Sequence, residues 1–397
     1  MAAERPRVRV PLWPLALITL SGTSAMHMFV PALPVAAQDL GSSAALVQLT
    51  ISVYIFALGL GQLVVGPLSD SFGRRPLLLG GLLLFTAAGL AAAFAPNVHL
   101  LIVARFAQAL GGCVGVLLPR AIVRDTDGAE RAVRRLALMG LMTMIGPGLS
   151  PLLGGALAQT LGWRAVFAVL AGLGTLNLLL AWRLLPETGS PVGHISLASV
   201  RRDYRVLLGT SRFVAMAIGG ACSSTATYAY ITAAPFLFVQ QLHRPPTDVG
   251  LYLGLMIVGA VVGNALAGRL AGRVPAERLM IGAHRLSALC ALAFFLSTLL
   301  QGPQVGTIVA LMFLHAMGAG MCGPVVSVQV LGIVPGLIGS ASGLYGFVQM
   351  LIGALSAALV TLHPDAGLSA SVVMLAFGIL GQACFLHARR GGSAARP

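Results

Sequence analysis

Apolar stretches separated by short polar breaks recur along almost the whole chain. Each is close to the ~20 residues that a helix needs to cross ~30 Å of hydrocarbon. Twelve are predicted, at 11–34, 46–68, 77–95, 99–119, 136–160, 165–185, 212–238, 249–271, 280–301, 305–328, 339–362 and 368–388. The longest polar interruption, Pro186 to Ser211, is rich in Pro, Gly and Ser and contains Arg201-Arg202-Asp203-Tyr204-Arg205. It reads as a linker between two sets of six spans. The expected organisation is therefore an all-α integral membrane protein of two six-helix halves, residues 1–185 and 212–397, joined by a linker at 186–211. Arg5, Arg7 and Arg9 ahead of the first apolar run imitate a signal peptide. No small-residue cleavage site follows, so the run is read as an uncleaved first span.

Composition supports this pattern. Charged residues make up 9% of the chain and hydrophobic ones 57%, with a mean hydropathy of +0.91, whereas soluble domains carry about 25% charge. The net charge of +14 comes from arginine alone, and its placement argues against nucleic-acid binding. With the N-terminus inside, only Arg164 and Arg244 fall on the outer side and only Arg105 lies within a span; every other arginine falls on the inner side. By the positive-inside rule both termini and the linker are cytoplasmic. Cys113, Cys222, Cys290, Cys322 and Cys384 all lie inside apolar runs, as packing residues rather than a disulfide or metal framework. No His-Glu metal motif, Asp pair or nucleophile beside a base occurs within the spans, so neither an enzyme nor a cofactor or metal site is expected.

Candidate functional residues fall where polarity interrupts these runs. Between spans 2 and 3, Gly66, Asp70, Gly73, Arg74 and Arg75 form a charged glycine turn that must sit at a membrane face. Span 1 carries His27 four residues before Pro31, and a proline there leaves a carbonyl acceptor free beside a titratable ring. Arg105, Gln108, Gly112, Gly115 and Pro119 share one helical face of span 4, which should look at protein or a cavity. Span 5 carries Pro147, Pro151, Gly154 and Gly155, the marks of a bent, closely packed helix. His315 in span 10 is a second intramembrane histidine. Each histidine is read either as a hydrogen-bonded packing residue or as a proton carrier. Tyr54, Tyr228, Tyr230, Tyr345 and Gln349 are candidate substrate contacts, with interhelical hydrogen bonding as the alternative for the span 7 residues.

With the 61–76 loop, Arg105, Arg120-Ala121-Ile122-Val123-Arg124-Asp125 and Pro147-x-x-x-Pro151-x-x-Gly154-Gly155 in view, the chain resembles the Bcr/CflA branch of the major facilitator superfamily. The resemblance implies a monomeric bacterial inner-membrane exporter, working by alternating access as a proton antiporter on drug-like molecules. The dedicated export of an endogenous product such as a siderophore, or nutrient import by the same fold, remain open. The echoes Gly73-Arg74 with Gly272-Arg273, and Ala109-x-Gly111 with Ala316-x-Gly318, fit the internal duplication of such transporters, whose substrate site lies between the halves. Two departures stand out. Ser71 follows Asp70 where the superfamily usually has a basic residue, and His27-Met28-Phe29-Val30-Pro31 stands where the branch usually reads Asp-Met-Tyr-Leu-Pro. Every carboxylate is assigned to a loop or terminus, so the expected partners are protons and a small neutral or anionic molecule, within the bilayer.

Overall fold

The computed structural model describes residues 10–126, 129–189, 197–334 and 337–393, without the side chains of Asp70, Arg124, Pro147, Arg390 and most of those in 129–145 and 197–200. Among the described residues there is no named strand, only an isolated bridge from Ala271 to Val274. Ten helices are long and apolar enough to cross a membrane, and a bent pair, Arg201–Gly209 with Ser211–Gln241, supplies an eleventh. A further helix of 32 residues, Ala129–Thr160, occupies the place of the fifth predicted span. With it, the helices follow the order of the twelve predicted spans.

Span 1 is divided into α1 (Leu12–His27), a 3-10 turn at Val30–Ala32 and α2 (Leu33–Asp39). Pro31 sits in the turn, where its missing N–H is tolerated. Span 2 is α3 (Ala44–Phe72), started by the Ser43 hydroxyl accepting from the Leu46 N–H at 3.3 Å. A single residue, Gly73 at φ +98°, separates it from α4 (Arg74–Ala93), a backbone angle that glycine adopts without strain. The N-terminal half is completed by α5 (Val98–Thr126), α6 (Ala129–Thr160) and α7 (Trp163–Leu184). The predicted linker contains a helix of its own, α8 (Leu197–Gly209). Span 7 is α9 (Ser211–Thr225) and α10 (Thr227–Phe236), followed by a π turn just past Pro235. Next come α11 (Pro246–Leu270), α12 (Ala276–Gln301), α13 (Val305–Leu331), α14 (Ile338–Leu359) and α15 (Ala366–Ser393).

Within one half α4 packs on α5 and α7; within the other α13 packs on α11 and α12, and α15 on α9. The halves meet where α3 runs along α14 and α6 along α11. Small residues make both seams possible. A Cβ at Gly59 would come within 2.8 Å of Met350, and one at Gly250 within 2.7 Å of the Pro151 carbonyl. Outward-facing Leu83, Val103, Leu289 and Leu300 remain exposed. In a bilayer these leucine and valine faces meet hydrocarbon, so their exposure carries no hydrophobic penalty.

Candidate functional site

The densest polar feature of the N-terminal half is Arg105, which is fully buried on α5. Among the described residues no carboxylate reaches it. Its Nη1 donates to the Ala25 carbonyl at 3.0 Å and to Gln108 Oε1 at 2.8 Å. The guanidinium lies 3.9 Å from the centroid of the Tyr54 ring, with Phe29 and Phe167 at 5.8 and 5.6 Å. A desolvated cation over an aromatic face gains about 2 kcal/mol, a partial offset against at least ~2.5 kcal/mol for an intramembrane charge. Nε and Nη2 have no hydrogen-bond partner. Helix geometry assembles the cage: Phe167 follows Trp163 by one turn of α7, and both rings pack at a tilt against Phe29 just past the end of α1. Tyr54, Gln108 and Arg105 are thus brought together inside one half.

His27, the last residue of α1, is buried beside the seam between the halves. Its Nδ1 lies 3.1 Å from the Thr23 carbonyl. That acceptor assigns the ring proton to Nδ1 in the neutral tautomer and leaves the Nε2 lone pair available. With Val30, Pro151, Ile231, Leu253, Met256 and Ile257, His27 lines a narrow crevice with no room for a water molecule. A drug-sized pocket needs roughly 300 Å³, so the two halves are closed on each other here. The α6 residues crowd the same place. Gly154 lies so close to the Met28 carbonyl that no side chain fits, and a Cβ at Gly155 would approach the Pro246 carbonyl to 2.9 Å. The side chain of Pro147 lies outside the described residues.

The C-terminal half has a neutral polar centre. His315 Nδ1 lies 3.0 Å from the Ser287 carbonyl and its Nε2 3.3 Å from the Thr227 hydroxyl, at the break in span 7. Ser287 in turn donates to the His315 carbonyl at 2.8 Å. His284, not singled out from the sequence, is buried with Nε2 2.9 Å from the Gly378 carbonyl and Phe385 edge-on to its ring. Gln349 Nε2 donates to the Ser224 hydroxyl at 3.0 Å and to the Tyr345 hydroxyl at 3.2 Å. Tyr230 is sealed between Phe238 and Phe294 with its hydroxyl unpartnered. Tyr228 lies against Gly353, where a Cβ would come within 2.5 Å of its ring. The five candidate contacts are therefore dispersed: Tyr54 under Arg105, Tyr345 with Gln349, and Tyr228 and Tyr230 in separate packing sites.

At the loop between α3 and α4, Arg74 Nε pairs with Asp125 Oδ2 at 3.1 Å and its Nη1 donates to the Ser69 hydroxyl. Arg75 Nη2 donates to the Trp182 carbonyl at 2.8 Å. Glu187, just past α7, accepts the backbone N–H groups of Arg74 and Arg75 at 2.9 and 3.1 Å. This carboxylate caps the N-terminus of α4, where orphan donors and the helix dipole favour an anion. Sequence reasoning missed it because an acid in a polar segment carries no periodic signal. Gly66 has open space where a Cβ would stand. The Asp70 side chain lies outside the described residues.

The family described as Major Facilitator Superfamily matches residues 15–357. The chain is 29% identical over 383 residues to the uncharacterized MFS-type transporter YdgK of Bacillus subtilis (strain 168), covering 94% of this chain and 93% of that one. It is 25% identical to a bicyclomycin resistance protein homolog of Haemophilus influenzae (strain ATCC 51907 / DSM 11121 / KW20 / Rd), over 87% of each chain. A solved peptide transporter, POT in complex with sulfate, superposes with a TM-score of 0.78 at 16% identity, covering 96% of this chain and 94% of its own.

Proposed function

Because the chain belongs to the Major Facilitator Superfamily, we propose that it works by alternating access as a proton-driven exporter of neutral amphipathic molecules, of the Bcr/CflA type. It resides as a monomer in a bacterial inner membrane. The arginine asymmetry supports cytoplasmic termini, and the likeness to a bicyclomycin resistance protein homolog supports export. The observation that carries the reading is His27, a titratable group on the wall of the crevice between the halves, while every carboxylate with a described side chain sits at or beyond a helix end, except Asp203 on α8, ahead of span 7. A proton taken at Nε2 makes the ring cationic beside an otherwise apolar surface. A neutral substrate favours the deprotonated ring, so proton and substrate compete without touching. Arg105 does not line the crevice and is enclosed by its aromatic cage, so it offers no charge to recruit an anion. The Asp70 to Arg75 turn acts as the cytoplasmic gate, and the Pro147 to Gly155 run of α6 as the seal toward the outside.

Everted membrane vesicles energised by a proton gradient test this directly. A neutral amphipathic drug should accumulate and partly dissipate the gradient, while lipophilic cations should do neither. Accumulation of the drug by intact cells would instead identify an importer.

A further inference from the structure

Helix α8 makes a turn of 88° with span 7, through one extended residue, Thr210, at φ −90° and ψ 99°. With span 7 crossing the bilayer, α8 therefore runs parallel to the membrane plane, at the level where the span begins. Its two sides differ. Leu207 is fully buried, and Asp203 accepts a 3.0 Å hydrogen bond from the Ser340 hydroxyl at the start of α14. Arg201, Arg202 and Arg205 are exposed on the other side, the Arg202 side chain by 78%. Val206 and Leu208 flank them with 48% and 58% exposure. A short basic helix with bare apolar residues, lying flat at a span's entrance, has the chemistry of an interfacial helix that takes anionic headgroups. Nucleic acid or an acidic protein would match the arginines but would leave Val206 and Leu208 in water.

The inner side of α8 reaches the seam. A Cβ at Gly343 would meet the Tyr204 hydroxyl at 3.5 Å and the Gln62 carbonyl of α3 at 3.4 Å. Thus α8 touches α14 where α14 crosses α3.

We propose that α8 is a binding site for anionic phospholipid headgroups, and that its occupancy holds the α3–α14 contact closed. The proposal needs only the membrane-spanning reading, not the direction or substrate of transport. Headgroups that fix α8 in the interface keep Asp203 and Tyr204 against α14; a freed α8 loosens that end of the seam.

Two measurements on the purified full chain test it. In native mass spectrometry with added phosphatidylglycerol, the triple variant Arg201→Gln, Arg202→Gln, Arg205→Gln should bind about a hundredfold more weakly than the unmodified protein, at roughly fivefold per arginine. Phosphatidylcholine binding should not change. The triple lysine variant keeps the charge and should retain binding, which separates lost charge from lost folding. Equal phosphatidylglycerol binding by the glutamine variant, or equal loss in the lysine variant, overturns the site. In lipid nanodiscs, phosphatidylglycerol should slow hydrogen exchange at residues 338–347 several-fold in the unmodified protein and not in the glutamine variant. Unchanged exchange in the unmodified protein would overturn the link to the seam.

Discussion

The two halves share a fold and handle charge in opposite ways. The N-terminal half encloses a guanidinium with no counter-ion among the described residues, held by Ala25, Gln108 and the Tyr54 ring. The corresponding centre of the other half is a histidine whose ring nitrogens meet a carbonyl and a hydroxyl. The same contrast recurs at the loops. Gly73 and Gly272 both take a positive φ, +98° and +80°, but the first is followed by arginines bound to Asp125, Glu187 and Trp182. After the second, Arg273 is exposed and its backbone N–H bonds only locally, to the Leu270 carbonyl at 3.0 Å. Glycine meets the shared demand of a tight turn; in the second loop the ion pair is Glu277 with Arg389 at 3.0 Å, and Arg273 takes no part in it. Function that depends on charge should accordingly be lost from the N-terminal half and tolerated in the other.

The largest effect is expected at Arg105. Truncation by Arg105→Ala should leave a void under three aromatic rings and lower stability by about 3 kcal/mol or more, seen as an earlier thermal unfolding in detergent. Arg105→Met fills the cage without a buried charge and should stay within about 2 kcal/mol of the unmodified protein, yet fail to transport. Equal stability of the two variants would mean that the cage is not packed around the side chain. Glu187→Ala should come next. It removes the α4 cap at a cost of about 1–2 kcal/mol, and hydrogen exchange should accelerate at the first turn of α4. Least is expected of Arg273→Gln, a change within about 0.5 kcal/mol and native transport. A loss there comparable to that of Arg74→Gln would erase the distinction between the loops.

Much of this was legible in the sequence, because hydrocarbon imposes long apolar runs and glycine marks the turns between them. Gly73 marks the break between α3 and α4, whereas α3 and α5 run on to Phe72 and Thr126, past the predicted span ends at 68 and 119. Other features depend on contacts between residues far apart in the chain. The interdomain stretch was read from its Pro, Gly and Ser as a linker, although Tyr204, Leu207 and Leu208 already carry helical spacing for α8. The break in span 7 falls at Ala226 without a proline. His284 Nε2 meets the Gly378 carbonyl and Arg105 Nη1 donates to a carbonyl of another helix, pairings for which a single chain gives no local sign. Arg105 and Gln108 were legible as one face; the aromatic cage around them was not.

The central claim is that the group exchanging protons is His27 at the seam, rather than His315 inside the C-terminal half. In proteoliposomes, His27→Gln should still exchange a neutral substrate across the membrane without a gradient, and should lose uphill accumulation driven by a proton gradient. His315→Gln should keep both activities. Uphill accumulation at native rates by His27→Gln would contradict the account.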